Sequence, residues 1–385
     1  MPLLEEYKGL DLHRWNYYEA DAPENEKNAV LREFNNNNAT AFITKIFKCG
    51  GKENAFDISF FKDYLKNGKH SHTVSLYFLG CLLSEIVDTH LEAYLSRYVD
   101  SLRKDGWYCF NYTWFLTCLY HDTASAIEKS EWHRDCPSDI DFYLGKEDVQ
   151  YNVFEHAWSN PLMKPYTYSE SLVRNYFKYR VEYCHAIDHG IIGGYLLYDR
   201  LVKNYDKNWA EYKKEHPDAP DACYNDFIHG GEYNNLRWRK AHMDHFAIIA
   251  DAIIAHNIWH SKNATENKNL YRQYGLDPLI HGKAKKTNIK EAPLLFFLGL
   301  LDTLEPVKRF DNPVDCLNHI DIWGQDTFIY ITVPAKYANT TWFNGLSDIE
   351  NWLAVHVDPD GNANNIMRKN KNKNKITIYI IRDND

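Results

Sequence analysis

The stretch Cys109–Ala124, CFNYTWFLTCLYHDTA, is the part of the chain that best predicts the fold. Its apolar residues favour a helix that leads into an adjacent histidine–aspartate pair, His121-Asp122. An imidazole and a carboxylate are costly to bury beside such a run unless they are paired or bound to a metal ion. The stretch therefore predicts a helical core that carries a polar site.

Helical patterns recur on both sides of this stretch. We predict further helices over residues 72–102, 169–205, 236–259 and 291–309. The first of these contains no proline, and its apolar residues recur at helical spacing. Ser169, followed by Glu170, is a typical helix start. Most of the chain is thus expected to be helical.

The ends of the chain have a different character. Residues 1–55 are polar and are interpreted as an irregular or helical extension, with a loop at the asparagine run 35–38. Near the C-terminus, residues 327–333 and 375–381 are β-branched and aromatic, which favours strands. The predicted fold is mainly α, with a helical domain over 56–310 and a small α+β element over 311–385.

Two polar regions interrupt the predicted helices. Residues 130–168 are interpreted as a long loop or short helices, and residues 206–236 as a surface excursion. The alternating Asn and Lys residues of 362–375 are interpreted as a solvated hairpin loop.

Composition limits the classes of function. The chain has 385 residues, 44% hydrophobic and 25% charged, and a formal net charge of −9, which is typical of a globular protein. It lacks a sustained basic stretch before the C-terminal region, which argues against an extended nucleic-acid surface. The acidic N-terminus does not resemble a signal peptide, and the apolar run 292–301 is about half of the ~20 residues that span a membrane. We expect a cytoplasmic protein without a membrane segment.

Six histidine and aspartate residues follow one another along the chain, each in or beside a predicted helix. They are His72, His121, Asp122, His189, His256 and Asp302. Each alone is more often a structural residue than a metal ligand. Imidazole and carboxylate groups together, however, suit divalent Fe, Mn, Zn, Ni or Co. The ordered set is therefore a candidate metal site.

This order resembles the HD superfamily of metal-dependent phosphohydrolases. The resemblance lies in the segments LYHDTA, DHGIIGGYLL and LLDTLEP and covers roughly residues 56–310. It implies an HD-type helical bundle with two divalent metal ions, Mg being a further candidate. The implied ligands of the first ion are His72, His121, Asp122 and Asp302. His189 and His256 would hold the second ion, with Asp122 bridging.

The resemblance also implies a reaction: a metal-activated water cleaves a phosphoester of a small molecule, for which a nucleotide is the leading candidate. Asp122 and His185 are the predicted catalytic residues; one helical turn would place His185 on the face of His189. Lys69 and Arg309 are the predicted phosphate contacts, with Arg174, Arg180 and Lys308 as further candidates. The chain departs from the usual family pattern at Thr123-Ala-Ser-Ala, where a Lys or His often follows the HD pair.

Several alternatives stay open at this point. His70 competes with His72 as the first ligand, and we favour His72 because the apolar helical pattern continues from it. His242 and His245 could reach the site, although a structural role is favoured, and His260 is interpreted as polar surface. The same ligand order occurs in HD-fold di-iron oxygenases. A nucleotide-sensing module without catalysis is disfavoured because all the ligand positions are filled.

Overall fold

The molecule is described here by a computed structural model. The structure describes residues 2–12, 24–48, 69–90, 95, 110–125, 127–128, 136–158, 166–221, 226–228, 237–239, 241–308, 312–325, 328–334, 345, 348–358 and 375–380. Its helices are α1 (Leu3–Gly9), α2 (Glu24–Arg32), α3 (Asn36–Lys48), α4 (His70–His90), α5 (Phe110–Tyr120), α6 (Ile140–Lys146), α7 (Glu170–Glu182), α8 (His189–Glu215), α9 (Ala241–Ala255), α10 (Thr265–Gln273), α11 (Pro293–Leu304) and α12 (Pro313–Leu317). The predicted mainly α fold class is confirmed.

The predicted core helices form close to their expected positions. The apolar run that precedes His121 is α5, and the segments predicted over 236–259 and 291–309 contain α9 and α11. The helix predicted from His72 is α4, which ends at His90; the rest of its predicted span lies outside the described residues apart from Leu95. Apolar periodicity therefore located the helices that build the core.

The prediction of one continuous helix over 169–205 was wrong. Ser169 does cap α7, since its hydroxyl accepts the amide of Leu172 at 3.3 Å. The chain then leaves the helix after Glu182, passes through His185 with φ of +55°, and starts α8 at His189. Because His185 precedes α8, it does not share a helical face with His189. The helix α8 also continues to Glu215, well into the region predicted as a surface excursion.

The N-terminal region is more ordered than its polar composition predicted. Residues 36–38 belong to α3 rather than to a loop, and the side-chain oxygen of Asn35 accepts the amide of Asn38 at 2.9 Å. An asparagine run thus provides a helix cap. The region 130–168 contains α6 and a 3₁₀ turn at Val153–Glu155, in line with its interpretation as short helices.

The core is formed where α4, α5, α9 and α11 pack together, with α8 lying along α9. Trp114 of α5 is fully buried, and its indole N–H donates to the carbonyl of Tyr77 in α4 at 3.2 Å. On its other side the Trp114 ring contacts Phe297 of α11, with ring centroids 5.8 Å apart. These contacts fix the relative positions of three of the helices that carry the candidate ligands.

Two small sheets complete the described structure. A short hairpin pairs β1 (Asp226–Ile228) with β2 (Arg237–Arg239). An antiparallel sheet has the order β3-β4-β6-β5, formed by β3 (Asp321–Gln325), β4 (Phe328–Pro334), β5 (Val355–Asp358) and β6 (Lys375–Ile380).

The two strands predicted near the C-terminus are β4 and β6, which lie side by side. The amide of Leu3 donates to the carbonyl of Ile320 at 2.8 Å, so the N-terminal and C-terminal segments are in contact. The proposed three-part division of the chain stays a prediction, and residues 359–374, which include most of the predicted hairpin loop, lie outside the described residues. No helix in the described part is both long enough and apolar enough to cross a membrane.

Candidate metal centre

The predicted ligands converge because each lies at a helix end. His72 is in the first turn of α4 and His189 is the first residue of α8. His121-Asp122 directly follow α5, and His256 directly follows α9. Asp302 lies in the last turn of α11. Helix ends from different parts of the bundle therefore come close together, and among the described residues the ligand atoms of His72, His121 and Asp302 all lie within 4.8 Å of one another.

The first half of the site is formed by His72, His121 and Asp302. The Nε2 atoms of the two histidines are 3.3 Å apart. The Asp302 Oδ1 atom lies 3.0 Å from the His72 Nε2 and 3.6 Å from the His121 Nε2. Zinc–nitrogen bonds of about 2.0–2.1 Å in a tetrahedral site place neighbouring ligand atoms about 3.3–3.4 Å apart. The spacing of these three atoms therefore fits a single metal ion.

Asp122 faces both halves of the site. Its Oδ2 atom lies 3.7 Å from the His72 Nε2 and 3.4 Å from the His121 Nε2. Its Oδ1 atom lies 3.4 Å from the His189 Nε2 and 2.8 Å from the ammonium of Lys69. The Oδ2 atom is buried without a hydrogen-bond partner, which is costly for a carboxylate oxygen unless a cation lies beside it. This arrangement fits the bridging role predicted for Asp122.

Two of the histidines are oriented by carboxylates. The Nδ1 atom of His72 lies 2.7 Å from Glu305 Oε2, and that of His189 lies 2.7 Å from Glu128 Oε2. A carboxylate can only accept, so each Nδ1 carries the proton and each Nε2 keeps its lone pair for the site. A histidine that donates its other ring N–H to a carboxylate is the usual arrangement in metal sites.

Backbone carbonyls orient the other two histidines in the same way. His121 Nδ1 donates to the carbonyl of Cys118 at 2.8 Å, and His256 Nδ1 donates to the carbonyl of Ile253 at 2.6 Å. The His256 ring packs edge-on against the rings of His121 and His189, with centroids 5.9 and 5.5 Å apart. All the predicted ligand histidines therefore have Nδ1 engaged with an oxygen acceptor.

His121 and His256 have very different pKa values because their charged neighbours differ. Burial alone lowers the pKa of His121, but the carboxylates of Asp122 and Asp302 outweigh it and raise the pKa to about 9. Burial, together with His189 and His121, lowers the pKa of His256 to about 3. His256 is thus neutral at any physiological pH. His121 must release a proton before it can bind a metal ion.

The aspartates are held in the ionised form. Burial raises the pKa of Asp302, but the nearby Lys308, His121 and His72 outweigh it, and the net pKa lies well below the usual range. The pKa of Asp122 is also well below its usual range, because His121 outweighs the effect of burial. Both carboxylates are available as anionic ligands at neutral pH.

The structure also places the alternative histidines. His70 is buried, and its Nδ1 lies 2.5 Å from the hydroxyl of Thr40 in α3, so His72 rather than His70 lies with the other ligands. His245 is buried within α9, and the side chain of His242 lies outside the described part of the chain. His260 is largely buried, contrary to its interpretation as polar surface, and its Nδ1 contacts the carbonyl of Asn351 at 3.0 Å.

The remaining predicted site residues are Lys69, Arg309 and His185. Lys69 lies at the site through its contact with Asp122. Arg309 lies outside the described residues, but the neighbouring Lys308 places its ammonium 2.8 Å from Asp302 Oδ1. His185 is exposed in the turn before α8, so the helical argument that linked it to His189 does not hold.

Sequence reasoning missed two acidic residues of the site, Glu305 and Glu128. Glu305 is fully buried and follows Asp302 by three positions, and Glu128 follows Asp122 by six. The only signal was their place just after a predicted ligand. Carboxylates are common in that position on any helical protein, so the signal did not single them out.

Comparisons of the chain with protein-family models, with curated proteins and with solved structures gave no match. The resemblance to HD phosphohydrolases therefore stays a prediction from the motifs.

Gly190→Ala should damage the site, because α8 approaches His256 closely at this position. A Cβ atom at Gly190 would lie 2.7 Å from His256 Cε1 and 2.9 Å from the Ile253 carbonyl. We expect a loss of bound metal and a decrease of about 1–3 kcal/mol in the free energy of unfolding, as is typical of overpacking. Elemental analysis and denaturant unfolding measure the two effects.

Gly193→Ala is the matched control for this substitution. Its Cβ would have only ordinary contacts, the nearest at 3.6 Å from Ala124. Replacing a glycine inside a helix with alanine should stabilise the protein by roughly 0.5–1 kcal/mol and leave metal content unchanged. Equal metal content in the two variants would contradict the placement of His256 at the site.

Proposed function

We propose that this chain is a metal-dependent phosphohydrolase of the HD type with a binuclear metal centre. The observation that carries the proposal is the shared orientation of His72, His121, His189 and His256. Each has its Nδ1 atom engaged with an oxygen acceptor. The Nε2 atoms of the first three lie within 3.7 Å of a carboxylate oxygen of Asp122. In all four histidines Nδ1 is thus engaged and Nε2 is the ring nitrogen left to bind a metal ion.

The charges around the site support an anionic substrate. Lys69 and Lys308 place their ammonium groups beside Asp122 and Asp302, the two carboxylates of the site. The amide nitrogen of Asn257 lies 3.1 Å from His189 Nε2 and is a hydrogen-bond donor on the same side. When metal ions bind Asp122, Asp302 and His189, these two ammonium groups and the Asn257 amide would be free to contact the oxygens of a phosphoryl group. A small phosphorylated molecule such as a nucleotide is therefore the substrate class we propose.

The roles of the chain's own residues follow from this geometry. Divalent metal ions bound here would lower the pKa of a coordinated water and offset negative charge on the phosphoryl oxygens. Asp122 presents one oxygen to each half of the site and would help to hold both ions. Glu305 and Glu128 keep His72 and His189 in the tautomer that binds metal. No serine or cysteine nucleophile is needed.

Metal content and turnover test the proposal together. Protein purified without added metal, and the His256→Ala variant, should be measured by elemental analysis and then assayed on a panel of nucleotides and other phosphoesters after addition of Mn²⁺, Ni²⁺ or Zn²⁺. We expect about two metal ions in the parent, a clear loss in the variant, and phosphate release by the parent alone.

Two other outcomes would contradict the proposal. Iron in the purified protein together with oxygen consumption, and no phosphate release, would favour the di-iron oxygenase. A parent protein that binds no metal even after reconstitution would contradict the metal centre itself.

A further inference from the structure

Arg180, near the end of α7, contacts the two acidic residues that flank His189. Its Nε atom lies 3.3 Å from Asp188 Oδ2, and its Nη2 atom lies 3.8 Å from Glu128 Oε1. Burial alone lowers the pKa of Arg180, but Asp188 and its other acidic neighbours outweigh it, so the guanidinium is charged at every relevant pH. It is thus a fixed positive charge placed between two carboxylates.

Each carboxylate controls a different part of His189. Glu128 uses its other oxygen to accept the His189 Nδ1–H at 2.7 Å, which sets the ring orientation. Asp188 is fully buried and caps α8 by accepting the amide of Ile191 at 3.0 Å, which sets the backbone from which His189 projects. The side chain and the backbone of this ligand therefore both depend on residues that Arg180 contacts.

The backbone of Arg180 closes the same turn. Its carbonyl accepts the amide of Ala186 at 3.1 Å, so the segment between α7 and α8 folds back onto Arg180. This turn contains His185 in the left-handed region of φ, which is an unfavourable conformation for a residue with a side chain. Arg180 contacts this turn at two points, through its backbone carbonyl at Ala186 and through its side chain at Asp188.

These contacts also argue against a phosphate-binding role for Arg180. A guanidinium that neutralises two carboxylates has little net charge left for a substrate. Its Nε and Nη2 atoms lie within ion-pair distance of two different carboxylates, and a guanidinium spreads its charge over both positions, unlike a lysine ammonium.

We propose that Arg180 is a positioning residue for the second half of the metal centre and acts on His189 through Glu128 and Asp188. This inference rests on the proposed binuclear function. The first half, formed by His72, His121 and Asp302, has no contact with Arg180 among those described and should not depend on it. Loss of Arg180 should therefore convert a site for two ions into a site for one.

The test is titration of metal-stripped protein with Mn²⁺ by calorimetry, with the stoichiometry and affinity of each step as the readout. Parent protein should bind two ions. Arg180→Gln should retain the first and bind the second about 10–100-fold more weakly, the range expected for groups that orient metal ligands. Arg180→Lys keeps the positive charge but concentrates it on one atom, so it should restore only part of the affinity for the second ion.

Arg174→Gln is the matched control. Arg174 lies on the same helix and pairs with Asp141 and Glu170, away from His189. A general loss of helix stability would affect both variants, whereas a positioning role affects the second ion in Arg180→Gln alone. If circular dichroism shows that Arg180→Gln is unfolded, Glu128→Gln is the second variant. It weakens the contact between Glu128 and His189 and leaves the Asp188 cap of α8 unchanged. It should therefore give the same selective loss of affinity for the second ion.

The outcomes separate this inference from the function on which it rests. Two ions in the parent and two ions of unchanged affinity in Arg180→Gln would overturn the role of Arg180 and leave the metal centre intact. Equal weakening of both ions, or the same weakening in Arg174→Gln, would also overturn it. A parent protein that binds no Mn²⁺, Ni²⁺ or Zn²⁺ would overturn the proposed function.

Discussion

Asp122→Asn should reduce phosphoester hydrolysis by roughly a thousandfold or more and leave at most one weakly bound metal ion. The substitution keeps the shape of the side chain but removes its charge and one of its two acceptor oxygens. These oxygens face different halves of the site, toward His121 and toward His189. Metal ions contribute several kcal/mol of transition-state stabilisation, and about 4 kcal/mol corresponds to a thousandfold in rate. Steady-state kinetics and elemental analysis of one preparation measure both losses.

Asp199→Asn is the control, because Asp199 is also a fully buried aspartate with a lysine partner. It accepts the amides of Gln150 and Tyr151 and pairs with Lys203 at 2.9 Å. The neutral variant should lose stability but keep its metal and its turnover. Normal activity in Asp122→Asn, or equal loss of activity in both variants, would contradict the proposed role of Asp122 in metal binding and hydrolysis.

The core helices could be predicted because apolar spacing is local in sequence, whereas the candidate ligands came from the resemblance in residue order and stay a prediction. Apolar spacing located α5, α9 and α11, and a polar residue at the end of an apolar helix already indicated a site. The choice of His72 over His70 also followed from local pattern, and the contact of His70 with Thr40 agrees with it. Local sequence patterns could not give the distances between the candidate ligand atoms.

The break between α7 and α8 could not be predicted from local pattern. Residues 170–188 contain neither proline nor glycine, and their apolar spacing continues through the turn. The turn is held by the pairing of Arg180 with Asp188, which becomes visible only when the chain is folded. A helix propensity that favours continuation was outweighed by a tertiary ion pair and a helix cap. The error mattered because it produced the catalytic role assigned to His185.

The residues that orient the ligands were missed for a related reason. Glu305 and His72 are 233 positions apart, and Glu128 and His189 are 61 apart. A single sequence carries no signal that links positions so far apart. Chemistry nevertheless requires such partners, since a metal-binding imidazole needs its second nitrogen occupied. A predicted histidine site thus implies acidic or carbonyl partners even where the sequence does not identify them.

Glu305→Ala should destabilise the metal-stripped protein by about 3 kcal/mol, since leaving even one buried hydrogen-bond donor without its acceptor costs roughly 1–3 kcal/mol. Glu305 is fully buried and accepts the His72 Nδ1–H at 2.7 Å and the amides of Val307 and Lys308 at 2.7 and 3.0 Å. Alanine leaves all three donors without an acceptor. Denaturant unfolding without metal separates this loss from any loss of bound ions.

A comparison of two further variants distinguishes the structural and the metal-binding roles of Glu305. Glu305→Gln keeps the shape and one acceptor oxygen, so it should lose less stability than alanine but still bind the first metal ion about 10–100-fold more weakly. Glu291→Ala removes a half-exposed partner of Lys285 and should change stability by no more than about 0.5 kcal/mol. If Glu305→Gln bound metal like the parent protein, the role of Glu305 would be limited to accepting the backbone amides that follow α11. Glutamine keeps only one of the two oxygens, which accept the amides of Val307 and Lys308 separately. Loss of metal affinity in Glu305→Gln with a smaller loss of stability than in Glu305→Ala would therefore show that the carboxylate acts through His72.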